Sequence, residues 1–165
     1  MTFYKQIYTS PLGEMSLVAD ETGLVGAWFF KQKYFERGLS GQVIEASNPF
    51  LEQTAQFLDA YFASQDVDFS SLTLADAGTD FQKRVWNYLS QIPKGQTVTY
   101  GQIARDLGVA SAQAVGGAVG RNPFSVIIPC HRVLGSQGQM TGYAGGLDKK
   151  LWLLNHEATE SDRKK

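Results

Sequence analysis

A single cysteine in 165 residues excludes any intramolecular disulfide. The first ten residues have neither the charged start nor the apolar run of a signal peptide, so the expected location is the cytoplasm. No stretch approaches the roughly 18 uninterrupted apolar residues needed to cross a bilayer, which excludes membrane insertion. Repeats and low-complexity segments are absent too. Histidine is nearly as scarce as cysteine, at two residues. What is present is apolar and aromatic: 43% and 12% of the chain, ample for the core of one ordinary domain or two small ones. The formal charge of -1 conceals a division, since residues 1–78 hold 4 Lys/Arg against 10 Asp/Glu and residues 79–165 hold 11 against 6. An acidic half (-6) followed by a basic half (+5) suggests that only the second meets a polyanion, although such segregation also arises in proteins that bind none.

The acidic half reads as strands and then a helix. Strands are expected over 5–8, 15–20 and 24–30, punctuated by Ser10-Pro11-Leu12-Gly13 and Glu21-Thr22-Gly23, giving a small antiparallel sheet. Asn48 and Pro49 open a helix whose Phe50, Leu51, Phe57, Leu58, Tyr61 and Phe62 keep helical spacing and can cover one face of that sheet. The acidic stretch 64–76 reads as a linker.

The basic half is mainly helical. Thr79 with Gln82 three residues on is a capping-box pattern, followed by Phe81, Val85, Tyr88 and Leu89 on one face until Pro93 and Gly95. Thr99 and Gln102 repeat the device ahead of Tyr100, Ile103, Ala104 and Leu107. Gly108 breaks that helix, and Ser111 starts another with Ala112, Val115, Gly116 and Val119 at the same spacing. Residues 99–120 thus have the form of a helix-turn-helix, a form that helical hairpins without DNA partners share. Gly116, Gly117 and Gly120 suit either close approach to a ligand or tight helix packing. A last helix is expected to be capped by Asp148, with Leu147 and Trp152 as a hydrophobic staple, carrying Leu151, Trp152, Leu154, His156 and Glu157; the polar residues after Ala158 read as a disordered tail.

The lone cysteine lies in Pro129-Cys130-His131-Arg132-Val133, after the short apolar stretch 124–128. A thiol is a strong nucleophile only as thiolate, and a free cysteine with a pKa of about 8.5 needs a neighbouring base or positive charge to reach that state near neutrality. His131 can supply the base. The competing reading is a small buried hydrophobe.

Taken with Tyr100-Gly101-Gln102-Ile103-Ala104, Ala114-Val115-Gly116-Gly117-Ala118-Val119, Asn122-Pro123, Gly142-Tyr143-Ala144-Gly145-Gly146 and Leu153-Leu154-Asn155-His156-Glu157, the cysteine motif closely resembles the O6-alkylguanine-DNA alkyltransferases. The likeness is dense over about residues 79–158; before that it lies in the Ser10-Pro11-Leu12-Gly13 turn and the order of elements. It implies an α/β, ribonuclease H-like N-terminal domain (1–76) and a mainly α C-terminal domain (77–165) with a helix-turn-helix and the reactive cysteine. It further implies DNA repair without cofactor or metal, by stoichiometric, single-turnover transfer of an alkyl group from O6 of guanine, or O4 of thymine, to Cys130. In that scheme His131 acts through a water and is polarised by Glu157, Asn122 orders the network, and Tyr100 donates a proton toward the departing guanine. The base would be rotated out of the duplex, read by backbone carbonyls at Cys130 and Val133, with Tyr143, Ala144 and Gly145 lining the alkyl side; Ala144 lacks the hydroxyl some relatives carry there. DNA contacts are implied at Gln82, Gly101, Ala112, Gln113, Gly116, Gly117, Arg121 and Ser136, mostly to backbone in the minor groove. The implied partner is double-stranded DNA carrying O6-alkylguanine and the implied state a monomer, with cooperative binding on DNA left open. Gln113 departs from the arginine the family commonly inserts into the vacated stack; glutamine lacks its charge and flat guanidinium. Two rival readings stand beside this one: a cysteine hydrolase, which would turn over and need an oxyanion hole, and a DNA lesion-binding module without chemistry, whose members lack the cysteine.

Overall fold

The computed structural model describes residues 2–158, and the expected tail after Ala158 lies outside them. The chain forms two compact units, residues 1–77 with 123–127, and residues 78–122 with 128–165.

The first unit is built on a four-stranded sheet of order β3-β2-β1-β4, formed by β1 (Thr2–Ser10), β2 (Gly13–Ala19), β3 (Leu24–Phe29) and β4 (Gln42–Glu45). The first three strands are antiparallel, as their turns predict, and β1 begins three residues earlier than expected. The sheet is nevertheless mixed, because β4 pairs parallel with β1 from Thr2↔Gln42 to Lys5↔Glu45. This strand left no sequence signal: its four residues are all exposed, so no face imposes an apolar alternation. Helix α1 (Pro49–Phe62) starts as expected, with the Asn48 side chain accepting from the Leu51 amide (3.0 Å). Its buried residues are Leu51, Thr54, Leu58 and Tyr61, whereas Phe50, Phe57 and Phe62 are half-buried at its flanks.

The stretch 64–76 is not a linker. Asp68 caps the 3-10 turn Phe69–Ser71, Phe69 packs on Phe57 and Tyr61, and Leu72 is buried. Leu74 then bridges to Leu24 at the sheet edge, with Leu24 donating to Thr73 O (2.9 Å) and Ala75 to Leu24 O (2.8 Å). Gly23 permits this contact, since a Cβ there would stand 2.8 Å from the Thr73 oxygen.

The second unit contains α2 (Asp80–Ser90), α3 (Tyr100–Leu107), α4 (Ala112–Gly120) and α5 (Leu147–Glu157), plus a two-stranded ladder of β5 (Val98–Thr99) and β6 (Val133–Leu134). The capping box closes fully at Thr79, while at Thr99 its first half forms, the threonine oxygen accepting from the Gln102 amide. Gly108 ends α3 in the left-handed conformation (φ 69°) and Ser111 caps α4. Trp86, which the periodicity of α2 passes over, is buried and donates from Nε1 to Ala118 O (2.8 Å), tying α2 to α4. On α4, Val115, Ala118 and Val119 face inward and Ala112 is exposed.

The start of α5 differs from expectation. Gly146, at φ 104°, is its N-cap; Asp148 lies in the first turn, and Leu147, 48% exposed, makes no staple. The buried face is Lys150, Leu153 and Glu157, and Leu151 points to solvent at 51% exposure. The parallel pairing Val98↔Val133 and Thr99↔Leu134 is equally absent from local sequence pattern, and it holds the segment after the cysteine against the start of α3.

Candidate active site

Cys130 opens a single 3-10 turn, Cys130–Arg132, entered through Pro129 and held by the Cys130 amide on Ile128 O (2.7 Å) and the Arg132 amide on Pro129 O (3.0 Å). One turn carries three consecutive side chains in three directions, all buried. Asn122, itself buried at the end of α4, fixes the entry by donating from Nδ2 to Ile128 O (2.8 Å), and its side chain also hydrogen-bonds the Cys130 sulfur. Burial pushes the Cys130 thiol up; the Asn122 hydrogen bond, the Lys150 charge and a backbone hydrogen bond pull against it. The resting sulfur is therefore a protonated thiol that must hand its proton to a base.

That base is built next door. His131 is fully buried, and its Nε2 lies 2.5 Å from Glu157 Oε2. Glu157 also receives Arg132, Nε on Oε1 (2.8 Å) and Nη2 on Oε2 (2.9 Å), while Arg132 Nη1 donates to Ile92 O (2.7 Å). Desolvation would raise the Glu157 carboxyl, but its bonds to His131 and Arg132 outweigh that and hold it far below the usual carboxylate range, so it is ionised. Desolvation lowers the His131 pKa despite the carboxylate, so the imidazole is neutral near pH 7. A neutral ring facing a carboxylate carries its proton on Nε2. Nδ1 then bears the lone pair, and it is a buried ring nitrogen with no hydrogen-bond partner among the described residues.

Lys150, fully buried on α5, donates to Val133 O (2.5 Å) and Thr141 O (2.8 Å). It clamps the segment after the cysteine to the loop before α5 and supplies a positive charge that Cys130 feels. Burial lowers its own pKa and the Cys130 charge raises it. Tyr100, half-buried at the start of α3, donates to the same loop at Thr141 O and Gly142 O (3.3 Å each); burial and the Cys130 charge push its hydroxyl up, so it stays a proton donor.

Tyr100 also stands on the wall of an open pocket of about 670 Å³ with Gly101, Ala112, Gln113, Gly116, Gly117, Ser136, Thr141 and Gly142. Six of the eight residues implied as DNA contacts thus share one concavity. Gln82 and Arg121 are elsewhere: the Gln82 side chain closes its own capping box, and Arg121 Nη1 bonds back to Gly117 O (3.3 Å). Tyr143, Ala144 and Gly145 do not line the pocket either; they form a half-buried turn in which Gly146 N–H meets Tyr143 O (3.0 Å), and the Tyr143 ring stands edge-on to His131. The Val133 carbonyl has one lone pair taken by Lys150. Tight packing does not explain the glycines of α4: a Cβ at Gly116 or Gly117 would make ordinary contacts at 3.6–3.7 Å, and one at Gly120 would meet nothing.

Sequence reasoning missed Lys150, the Arg132 side chain, Thr141 and Gly142. For Lys150 a signal existed: it precedes Leu153 by three residues and Glu157 by seven, so a helix that turns Glu157 inward turns Lys150 inward too. Beside Lys149 it reads as half of a solvated charged pair.

With this geometry in hand, comparison with known proteins is direct. The profile of the 6-O-methylguanine DNA methyltransferase ribonuclease-like domain matches residues 3–75, and that of the DNA binding domain of the same family matches residues 80–159. A protein of Methanosarcina acetivorans named methylated-DNA–protein-cysteine methyltransferase is 45% identical over 157 residues, covering 94% of this chain and 99% of its own. One of the same name from Mycobacterium leprae is 44% identical, covering 90% and 88%. Among solved structures, that of Mycobacterium tuberculosis OGT in complex with DNA superposes with a TM-score of 0.82 at 35% identity, covering 95% of this chain and 92% of that one. Both halves of the chain are accounted for, and the chain belongs to the 6-O-methylguanine DNA methyltransferase family.

Proposed function

We propose that this protein repairs DNA directly, moving the alkyl group from O6 of guanine, or O4 of thymine, in double-stranded DNA onto Cys130, once per molecule. Residues 77–165 carry the helix-turn-helix contacts to DNA and the chemistry, and residues 1–76 form the ribonuclease-like domain. The protein works as a cytoplasmic monomer; among its described residues no helix is long and apolar enough to cross a membrane.

The observation that carries the mechanism is the Arg132–Glu157–His131 array, which leaves a lone pair on Nδ1 in a buried position. The thiol proton passes to Nδ1, through a water as in the family, and the imidazolium that forms is stabilised by Glu157. The sulfur lone pair then attacks the alkyl carbon in line. The S–C bond forms as the C–O bond breaks, its electrons leaving with guanine, and Tyr100 donates a proton toward the ring. A thioether has no leaving group for water to displace, so Cys130 is spent. Gly101, Ala112, Gly116, Gly117 and Ser136 line the surface that meets the DNA backbone, and Gln113 stands where the flipped base leaves the stack.

Incubation with a duplex holding one O6-methylguanine, followed by peptide mass mapping, tests this. One methyl group should appear on Cys130 per lesion removed, and none with Cys130→Ala. Many lesions repaired per molecule, or lesion loss with Cys130 unmodified, would overturn it.

A further inference from the structure

Residues 2–77 hold four cations among ten carboxylates, and their placement is uneven. Lys5 is engaged by Glu36. The other three, Lys31, Lys33 and Arg37, are all exposed and fall within seven residues of the connection 30–41 between β3 and β4. None of the three has a carboxylate partner among the described residues.

The loop is held in a specific shape. Lys31 (φ 67°), Tyr34 (φ 62°) and Glu36 (φ 52°) take the left-handed conformation, which costs a non-glycine residue about 1–2 kcal/mol. Such conformations persist where the surroundings over-determine them, and here they do. Buried Gln32 accepts from the Phe29 amide (2.8 Å) and Ser125 Oγ (3.0 Å), Glu36 takes Lys5 and Ser16 Oγ, and Phe35 packs edge-on against Phe30 and Trp28. The outcome on the solvent side is a Tyr34 ring flanked by Lys33 Nζ at 5.3 Å and Arg37 Cζ at 5.1 Å from its centroid. Two cations are thereby kept within about 10 Å of each other, a length over which duplex DNA presents about six phosphates.

We propose that this loop is a second DNA-contacting surface, in which Lys31, Lys33 and Arg37 bind backbone phosphates in addition to the contacts made by the helix-turn-helix. The inference rests on DNA being the substrate. A nucleic-acid backbone is favoured over an acidic protein because the patch interleaves cations with an aromatic ring, the arrangement that tracks a phosphate backbone. The contacts are to charge, so they are independent of sequence.

The test is the salt dependence of binding to a short duplex, read by fluorescence anisotropy, for the parent and for the triple variant Lys31→Gln, Lys33→Gln, Arg37→Gln. Each phosphate contact contributes about 0.9 to the slope of log K against log salt, so the variant's slope should be shallower by about 2.7. The parent's affinity advantage should then shrink about 40-fold between about 50 and 200 mM salt. Methyl transfer from the free alkylated base, which needs no duplex, should proceed at the parental rate and report that the variant is folded. If it does not, the three single variants are measured instead, each expected to remove about 0.9. Arginine at 31 and 33 with lysine at 37 should restore the slope. Equal slopes for parent and variant overturn the inference, as does a parental self-association without DNA that the substitutions abolish while leaving the slope intact. Parental binding with no salt dependence would instead strike at the DNA-repair reading itself.

Discussion

Replacing Glu157 by glutamine asks one atom to do the work of two. The carboxylate accepts three bonds, from Arg132 Nε, Arg132 Nη2 and His131 Nε2. Glutamine keeps one acceptor oxygen and turns the other position into an NH2 group. If the NH2 faces Arg132, donor meets donor and a buried guanidinium loses its counter-charge. If it faces His131, the imidazole must move its proton to Nδ1, where it can no longer accept one from Cys130. Breaking a buried pair from one side costs about 3–5 kcal/mol, and loss of a positioned base slows a reaction by about 10²–10⁴-fold. Without the carboxylate, burial also depresses the His131 pKa further, weakening the base. We therefore expect Glu157→Gln to be destabilised by about 3–5 kcal/mol in urea unfolding and slowed at least about 100-fold in single-turnover methyl transfer from the free alkylated base. The pH dependence gives a second readout. The native His131 pKa lies below the ordinary 6.5, so the unfolded chain binds more protons and stability rises with pH. That contribution is complete above about pH 6.5 and is lost as pH falls through the native value. Glu157, also depressed, adds stability that is complete above its unfolded pKa of about 4.3 and is lost as pH falls below it. The parent should lose stability on acidification in two legs, and the variant should lack the lower one. Parental rate together with a stability change under about 1 kcal/mol would refute the role of the array.

Two further outcomes follow from the pocket. Gly117→Ala should raise Tm, because the new methyl meets only ordinary contact at 3.6 Å and alanine gains about 0.5–1 kcal/mol in a helix; the same change should weaken DNA binding, since it thickens the helix where backbone approaches phosphate. Unchanged affinity would show that α4 does not use its bare surface. Gln113→Arg should speed repair in duplex DNA while leaving reaction with the free base nearly unchanged, because Gln113 is exposed on the pocket wall and Arg121 is turned back on its own helix. Equal acceleration on both substrates would place the effect at Cys130 and not at base extrusion.

What local sequence determines about this protein is whatever a few adjacent residues settle among themselves. Asn48-Pro49, Thr79 with Gln82, Thr99, Ser111 and Gly108 start and stop helices through hydrogen bonds spanning three or four residues, and each acts as its pattern predicts. The 3-10 turn of Cys130, His131 and Arg132 makes the nucleophile and its base neighbours in the chain, so motif alone points to them. The rest is decided by residues far apart. Strand β4 exists because β1 offers an unpaired edge, and the acidic stretch 64–76 docks because Gly23 leaves room for its backbone. Asp68, which helps mark a linker by composition, serves there as a turn cap. Lys150 and Arg132 read as surface cations until α5 lies against the cysteine turn; burial then makes each useful only through partners 9 to 40 residues away. The tautomer of His131 is a tertiary decision as well, since it depends on an ionised Glu157 26 residues on, and that ionisation depends on Arg132. Short-range hydrogen bonding and periodicity are written in order along the chain, whereas desolvation and charge pairing are properties of what the fold brings together.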